Sequence, residues 1–185
     1  MLCDLLFPIL SGEHYLVFKP LLVAAAVGGF RIWQQPDHRA RKHRTKIKKA
    51  LRVLDQLHAI KEPFKQAKQL TYLRKIDPYV FEELLLSLYH RQGIQIIRNK
   101  RYSKDGGFDG QIHLADGALV LIQAKRYSGY IARVHLEEFA SLVKTHKAAY
   151  GYFMHTGRTS RHLLEEFRRS NVIIYSGEKL LDLLE

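Results

Sequence analysis

Residues 105–127 read DGGFDGQIHLADGALVLIQAKRY, and this stretch decides the fold. Phe108–Leu114 and Leu119–Lys125 alternate or run apolar in the manner of strands. They are joined around Asp116-Gly117, a dipeptide suited to tight hairpin turns. Asp109 stands between glycines in Gly107-Phe108-Asp109-Gly110, so its carboxylate has open space around it. Gln123 and Lys125 are two apart at the end of an apolar strand and therefore project from one face. A carboxylate, an amide oxygen and an ammonium at the ends of adjacent strands are the parts of a metal-and-phosphate site. The first two suit a hard divalent ion, and the third orients water or offsets phosphate charge. Taken singly, Asp-Gly reads as a turn and a lysine closing a strand as merely solvated. The combination carries the reading.

The hairpin register bears on that site. A two-residue Asp116-Gly117 loop would set Asp109 opposite Ala124, pointing away from Gln123 and Lys125. A three-residue loop restores a shared face. Asp116–Ala118 would set Asp109 opposite Lys125, and Ala115–Gly117 would set it opposite Gln123. A bulge at Gly110 would have the same effect. The chemistry requires one of these three.

Outward from the hairpin, the chain reads as an α/β domain over 76–185. Asp77-Pro78 predicts a helix start, with a capping carboxylate and proline at the first helical position. Tyr79, Phe81, Leu84, Leu85 and Leu88 recur at helical spacing until Gly93. Ile94–Arg98 is a predicted strand ahead of the hairpin. Beyond it, a helix over Val134–Lys147, a strand over Tyr150–His155, a helix over Ser160–Arg169, a strand over Val172–Tyr175 and a helix over Gly177–Leu184 are predicted.

Charge divides the rest. The 185 residues carry a formal net charge of +12, which points toward nucleic acid or an anionic membrane surface. Residues 31–75 hold 14 basic against 3 acidic side chains, while 76–185 are nearly balanced at 15 against 13. Residues 34–75 therefore read as a basic helical connector, with Ile47, Leu51, Leu54 and Leu57 at helical spacing and Pro63 as a break. Its charge fits a solvated helix face, a lipid-headgroup contact through 39–49, or a DNA-backbone contact. Residues 1–33 form a hydrophobic N-terminal segment. Tyr15 to Trp33 is apolar but for Lys19 and Arg31. As a helix it would span roughly 28 Å, close to a bilayer core. The basic cluster that follows would hold that flank in the cytoplasm at the inner membrane. Against an anchor stand Pro20, Gly28 and Gly29, and the plain alternative is a buried helix or a hydrophobic arm. Cys3 is the lone cysteine, so neither an internal disulfide nor a multi-thiolate zinc site is available.

Gly-Phe-Asp-Gly, a hairpin and then Gln-x-Lys-Arg-Tyr together resemble the Mrr-like (type IV) restriction endonucleases, a branch of the PD-(D/E)xK nucleases. The likeness runs from Asp77-Pro78-x-x-Phe81-Glu82 through Phe153-Met-His-Thr-Gly157 and Asn171–Gly177 to the closing Leu180-Leu-Asp-Leu-Leu. It implies a restriction-endonuclease-like core, αβββαβ, with a mixed sheet flanked by helices and an N-terminal helical extension. It implies Mg2+-dependent hydrolysis of DNA phosphodiester bonds in restriction of foreign or modified DNA, with a homodimer as a candidate assembly. Asp109, Gln123 and Glu82 match the metal-binding positions, and Lys125 the catalytic lysine. Glu82 has an exposed helix carboxylate as its plain alternative, and Glu83 competes with it for the site. Arg126 and Tyr127 are candidate phosphate or base contacts, against a solvated strand end and a packed ring. Arg101 and Lys104, just ahead of the glycines, are further candidate contacts with nucleic acid. The rival function is a membrane-attached nucleic-acid-binding module that keeps the nuclease fold without turnover. Other chemistries find no support: the ten histidines include no HExxH, and neither a GxSxG elbow nor a phosphate-cradling glycine loop is present.

Overall fold

The computed structural model of the protein describes residues 40–99 and 107–185. The anchor expected of 15–33 and the contacts expected of Arg101 and Lys104 lie outside the described residues. Among the described residues, no helix is long and apolar enough to cross a membrane.

Asp77 begins a helix as its sequence context requires. Its Oδ1 accepts from the backbone N–H groups of Tyr79 at 2.9 Å and Val80 at 3.2 Å, and Pro78 takes the first helical position of α3 (Pro78–Arg91). This satisfies donors that would otherwise be orphaned at the helix start. From Val80 to Tyr89, α3 is buried at every position except Glu82. A helix apolar nearly all round belongs in the middle of a domain, and α3 lies between the sheet and α1 (Ala40–Ala59).

That packing changes the status of residues 34–75. They are expected as a connector, yet Ala50, Val53, Leu54 and Leu57 of α1 and Leu73 of α2 (Lys65–Lys75) are buried in the same core as Phe81, Leu84 and Ile122. The basic residues spread over the other faces, with Arg44, Lys48, Lys49 and Arg52 exposed. Lys46 fixes the N-terminal half of α1 beside the start of α3 through Asp77 Oδ2, at 2.7 Å.

The remaining elements follow the predicted order: β1 (Gln95–Arg98), β2 (Gly110–His113), β3 (Leu119–Lys125), α4 (Arg133–Thr145), β4 (Tyr150–His155), α5 (Arg161–Phe167), β5 (Val172–Tyr175) and α6 (Glu178–Leu184). The strands form one mixed sheet in the order β1-β2-β3-β4-β5, antiparallel across the first three and parallel across the last three. Both faces are covered, so β3 is buried at every position from Val120 to Ala124. Val120, Ile122 and Ala124 face the α1–α3–α6 layer, and Leu121 faces the layer of α4 and α5. The period of two within an apolar run is how a doubly covered strand sorts its side chains. β3, the strand of the hairpin that ends in Gln123 and Lys125, is therefore clamped from both sides.

Candidate active site

The hairpin takes the three-residue loop Ala115–Gly117. Leu114 N–H donates to Ala118 O at 3.0 Å, Gly117 N–H donates to Leu114 O at 2.9 Å, and Gly117 has φ +84°. A left-handed residue closing a three-residue loop is the glycine requirement of this hairpin class. Gly110 consequently pairs with Ile122. At Asp109 the ladder departs from the regular count. Asp109 donates its N–H to Ile122 O at 2.7 Å, so Asp109 and Gly110 both address one residue of β3, the two-to-one arrangement of a bulge. Ala124, two residues further along β3, has its N–H on the β2 side beyond the end of that strand. The Asp109 carboxylate accepts it through Oδ2 at 2.7 Å. A side chain thereby replaces the missing backbone acceptor, and the carboxylate is held at the sheet edge beside Lys125. Gly110 has a second duty. A Cβ there would lie 2.6 Å from Leu86 Cδ2, so the glycine lets α3 approach β2 closely.

Of the two competing glutamates, Glu83 is engaged elsewhere. Glu83 is only 1% exposed and takes Arg98 Nε on its Oε2 at 2.7 Å, an ion pair that ties α3 to β1. Glu82, on the neighbouring position of the same helix, is half-buried at the end of the sheet. Burial, helped by the Asp109 carboxylate and opposed by Lys125, raises its pKa to about 8. Burial also raises the pKa of Asp109, opposed by the Ala124 N–H and by Lys125. Asp109 and Lys125 thus both act electrostatically on Glu82, and Lys125 acts on Asp109. Gln123, two residues before Lys125 on β3, donates from Nε2 to Gly107 O at 2.5 Å, which orients the amide and leaves Oε1 as its ligand-capable end. Among the described residues no cluster of three or more His, Cys, Asp or Glu could hold a metal. The donor set is two carboxylates and an amide oxygen.

Arg126 and Tyr127 are placed otherwise than expected of nucleic-acid contacts. Arg126 Nη1 donates to Arg74 O at 3.0 Å and also to Ile76 O, capping carbonyls at the end of α2. A guanidinium used this way is turned into the protein, away from a passing phosphate. The Tyr127 ring stacks on His135 at 5.7 Å between centroids and meets His155 edge-on. His155 is the residue that sequence reasoning missed. It is fully buried at the end of β4, paired with Lys125 in the parallel ladder, and burial lowers its pKa to about 4. It lies inside Phe153-Met-His-Thr-Gly157, but its contacts with the Tyr127 ring and Thr159 Oγ1 exist only in the folded chain.

Residues 73–184 match the Mrr_cat family model, whose description is "Restriction endonuclease". The chain belongs to the Mrr-type restriction endonuclease family. Its mixed sheet flanked by helices is the restriction-endonuclease core, and Glu82, Asp109, Gln123 and Lys125 all fall inside the matched segment. The chain is also 32% identical over 121 residues to the type IV methyl-directed restriction enzyme EcoKMrr of Escherichia coli (strain K12). That match covers 60% of this chain and 39% of the relative, so the chain spans about two fifths of its length. A solved structure, MspJI restriction endonuclease in complex with a 27-mer oligonucleotide, is similar with a TM-score of 0.39 at 18% identity, covering 87% of this chain and 34% of that one.

Proposed function

We propose that this restriction-endonuclease domain hydrolyses DNA phosphodiester bonds with a divalent cation, Mg2+ being the working ion, in restriction of foreign or modified DNA. The observation that carries the reading is the gathering of two desolvated carboxylates, Glu82 and Asp109, with Lys125 at the end of β3, the Asp109 carboxylate being held there by Ala124 N–H at 2.7 Å. Two desolvated carboxylates, with Asp109 raising the pKa of Glu82, are poorly balanced by one lysine, and a divalent cation is the group they fit. Glu82, Asp109 and Gln123 Oε1 would hold it. When bound, such an ion polarises a phosphoryl oxygen and lowers the pKa of water. Glu82 must give up its proton to serve as a ligand, because the ionised carboxylate is the metal-binding form. Lys125 contributes donors for a non-bridging phosphate oxygen or an attacking water. The bonds of Asp109 to Ala124 N–H and of Gln123 to Gly107 O hold both ligands in place beforehand, which lessens reorganisation during reaction. The non-catalytic alternative is disfavoured because each of the four positions carries a chemically competent side chain.

Incubating plasmid DNA with purified protein tests this. Substrates with and without methylated bases belong in the assay, since the Escherichia coli relative is a methyl-directed restriction enzyme. Nicked or linear product is expected with Mg2+ and none with EDTA. Intact plasmid of both kinds in Mg2+ would sink the reading.

The proposal extends to location. An aromatic-flanked apolar run at 15–33, followed by the basic 39–49 segment, supports attachment to the inner membrane with the domain in the cytoplasm. Fractionation of cells expressing the full chain should leave it in the membrane pellet until detergent is added. Recovery in the soluble fraction without detergent would remove the anchor.

A further inference from the structure

On the edge of the sheet that carries Lys125, a second cleft of about 470 Å³ opens between α2, the segments that follow β3 and β4, and the β5–α6 turn. Thr71, Arg74, Tyr130, Arg158, Thr159 and Ser176 line it, and none of its lining residues is acidic. Arg74 is fixed there, donating from Nε at 2.9 Å and Nη2 at 2.8 Å to Thr156 O. The backbone of Arg158 is pinned on both sides, its N–H to Gly129 O at 2.9 Å and its carbonyl to Ile131 N–H at 3.0 Å. Its side chain is exposed. Beside it the Tyr130 ring stands 66% exposed, a large apolar surface left in water.

The hydroxyls of this cleft are arranged as donors. Gly157 N–H donates to His155 Nδ1 at 3.1 Å, so the proton of the neutral ring is on Nε2, which lies 2.9 Å from Thr159 Oγ1. Thr159 Oγ1 lies 3.1 Å from Ser176 Oγ. His155 therefore fills an acceptor site on Thr159, and the two hydroxyls share one hydrogen bond between them. Two hydroxyl protons are present and one is used, so one remains to donate into the cleft whichever way the pair is oriented. Two arginines, a spare hydroxyl proton and no carboxylate select an anion. An exposed aromatic ring beside them selects an anion that carries a flat group.

We infer that this cleft is a nucleotide subsite, taking a phosphate of the DNA strand near the scissile one against Arg158 and the Thr159–Ser176 hydroxyls, with the adjoining base on Tyr130. The inference rests on the reading of the domain as a DNA nuclease. Strands lie about 4.8 Å apart, so the ends of β4 and β5 are displaced roughly 5–10 Å from β3, on the scale of a few base steps at ~3.4 Å each.

The test uses the full chain carrying Lys125→Ala, in which cleavage is expected to be slowed enough for binding to be read, and a fluorescently labelled duplex followed by anisotropy across a salt series. Adding Arg158→Ala should weaken binding about five- to tenfold and lower the slope of log affinity against log salt by about one. Adding Tyr130→Ala should weaken binding about fivefold or more with the slope unchanged, as loss of base stacking does. Arg161→Ala, an exposed cation on α5 paired with Glu165, should change affinity less than twofold. If Arg158→Ala and Tyr130→Ala bind like their parent, or if Arg161→Ala weakens binding as much as Arg158→Ala, the subsite is wrong while the nuclease reading stands. If the parent binds no duplex, both fail together. If a deoxynucleoside 5′-monophosphate binds through Arg158 without competing with the duplex, the cleft serves free nucleotide and the inference is overturned.

Discussion

Lys125→Ala and Asp109→Asn are each expected to slow DNA cleavage by about 10²-fold or more, the usual loss when a charge-stabilising contact is removed from a reacting centre. Neither change should unfold the protein. Lys125 is the last residue of β3, half-buried at the sheet edge, and its backbone pairing with His155 needs no particular side chain. Asp109→Asn is a cleaner probe still. The amide oxygen of asparagine can keep the hydrogen bond from Ala124 N–H, so the strand end stays capped while the charge disappears. Single-turnover cleavage and thermal melts on the same preparations separate the two effects. Full activity in either variant would remove that residue from the catalytic set, and a collapsed melt would show that its role is structural.

Glu82→Gln should have opposite effects on stability and activity. The pKa of Glu82 in the folded protein, about 8, lies above its ordinary value of 4.5. The folded state therefore binds this proton more tightly than the unfolded state does, and stability falls as pH rises from about 4.5 through 8. Glutamine does not ionise, so the variant escapes that loss. In EDTA, wild type and variant should melt together near pH 5 and diverge as pH rises. By pH 9 the variant should be more stable by a few degrees, which corresponds to about 1 kcal/mol in a domain of this size. Because Glu82 is partly exposed, solvent screening keeps the effect at that level. Added Mg2+ should narrow the gap by stabilising wild type, while cleavage by the variant falls. Melting curves that stay parallel from pH 5 to 9 would show that burial does not hold Glu82 in the way described.

These two tests touch residues whose visibility in the sequence differs. Asp109, Gln123 and Lys125 were legible because glycines, a turn dipeptide and a strand-end pair are local patterns, readable before the chain is folded. The loop is one of the anticipated solutions, but local geometry reached no further than the loop. It did not anticipate that Asp109 would leave the ladder and cap Ala124 N–H instead of pairing with Gln123, because a bulge depends on how closely α3 presses on Gly110. Glu82 and Glu83 are adjacent identical residues that local pattern does not rank, and only the family resemblance favours Glu82. Arg98, fifteen residues on, captures Glu83 and so leaves Glu82 to the site.

What the sequence by itself determined is the set of elements and their order. The Asp77-Pro78 cap, the helical spacing after it, the Asp116-Gly117 turn and the apolar runs of β3, β4 and β5 each follow from interactions within a few residues. Only the tertiary structure decided which side chains share a space. It placed the apolar stripe of α1 in the core and so turned an expected connector into part of the domain. It drew Arg126 inward onto the carbonyls ending α2. It set His155 beside Lys125 by parallel pairing and gathered Arg74, Tyr130, Arg158 and Ser176 around one cleft. Periodicity and turn chemistry are short-range, so they survive as sequence patterns. Burial and charge coupling depend on which distant segments meet, and in this chain the meeting places lie along the edge where β3, β4 and β5 end.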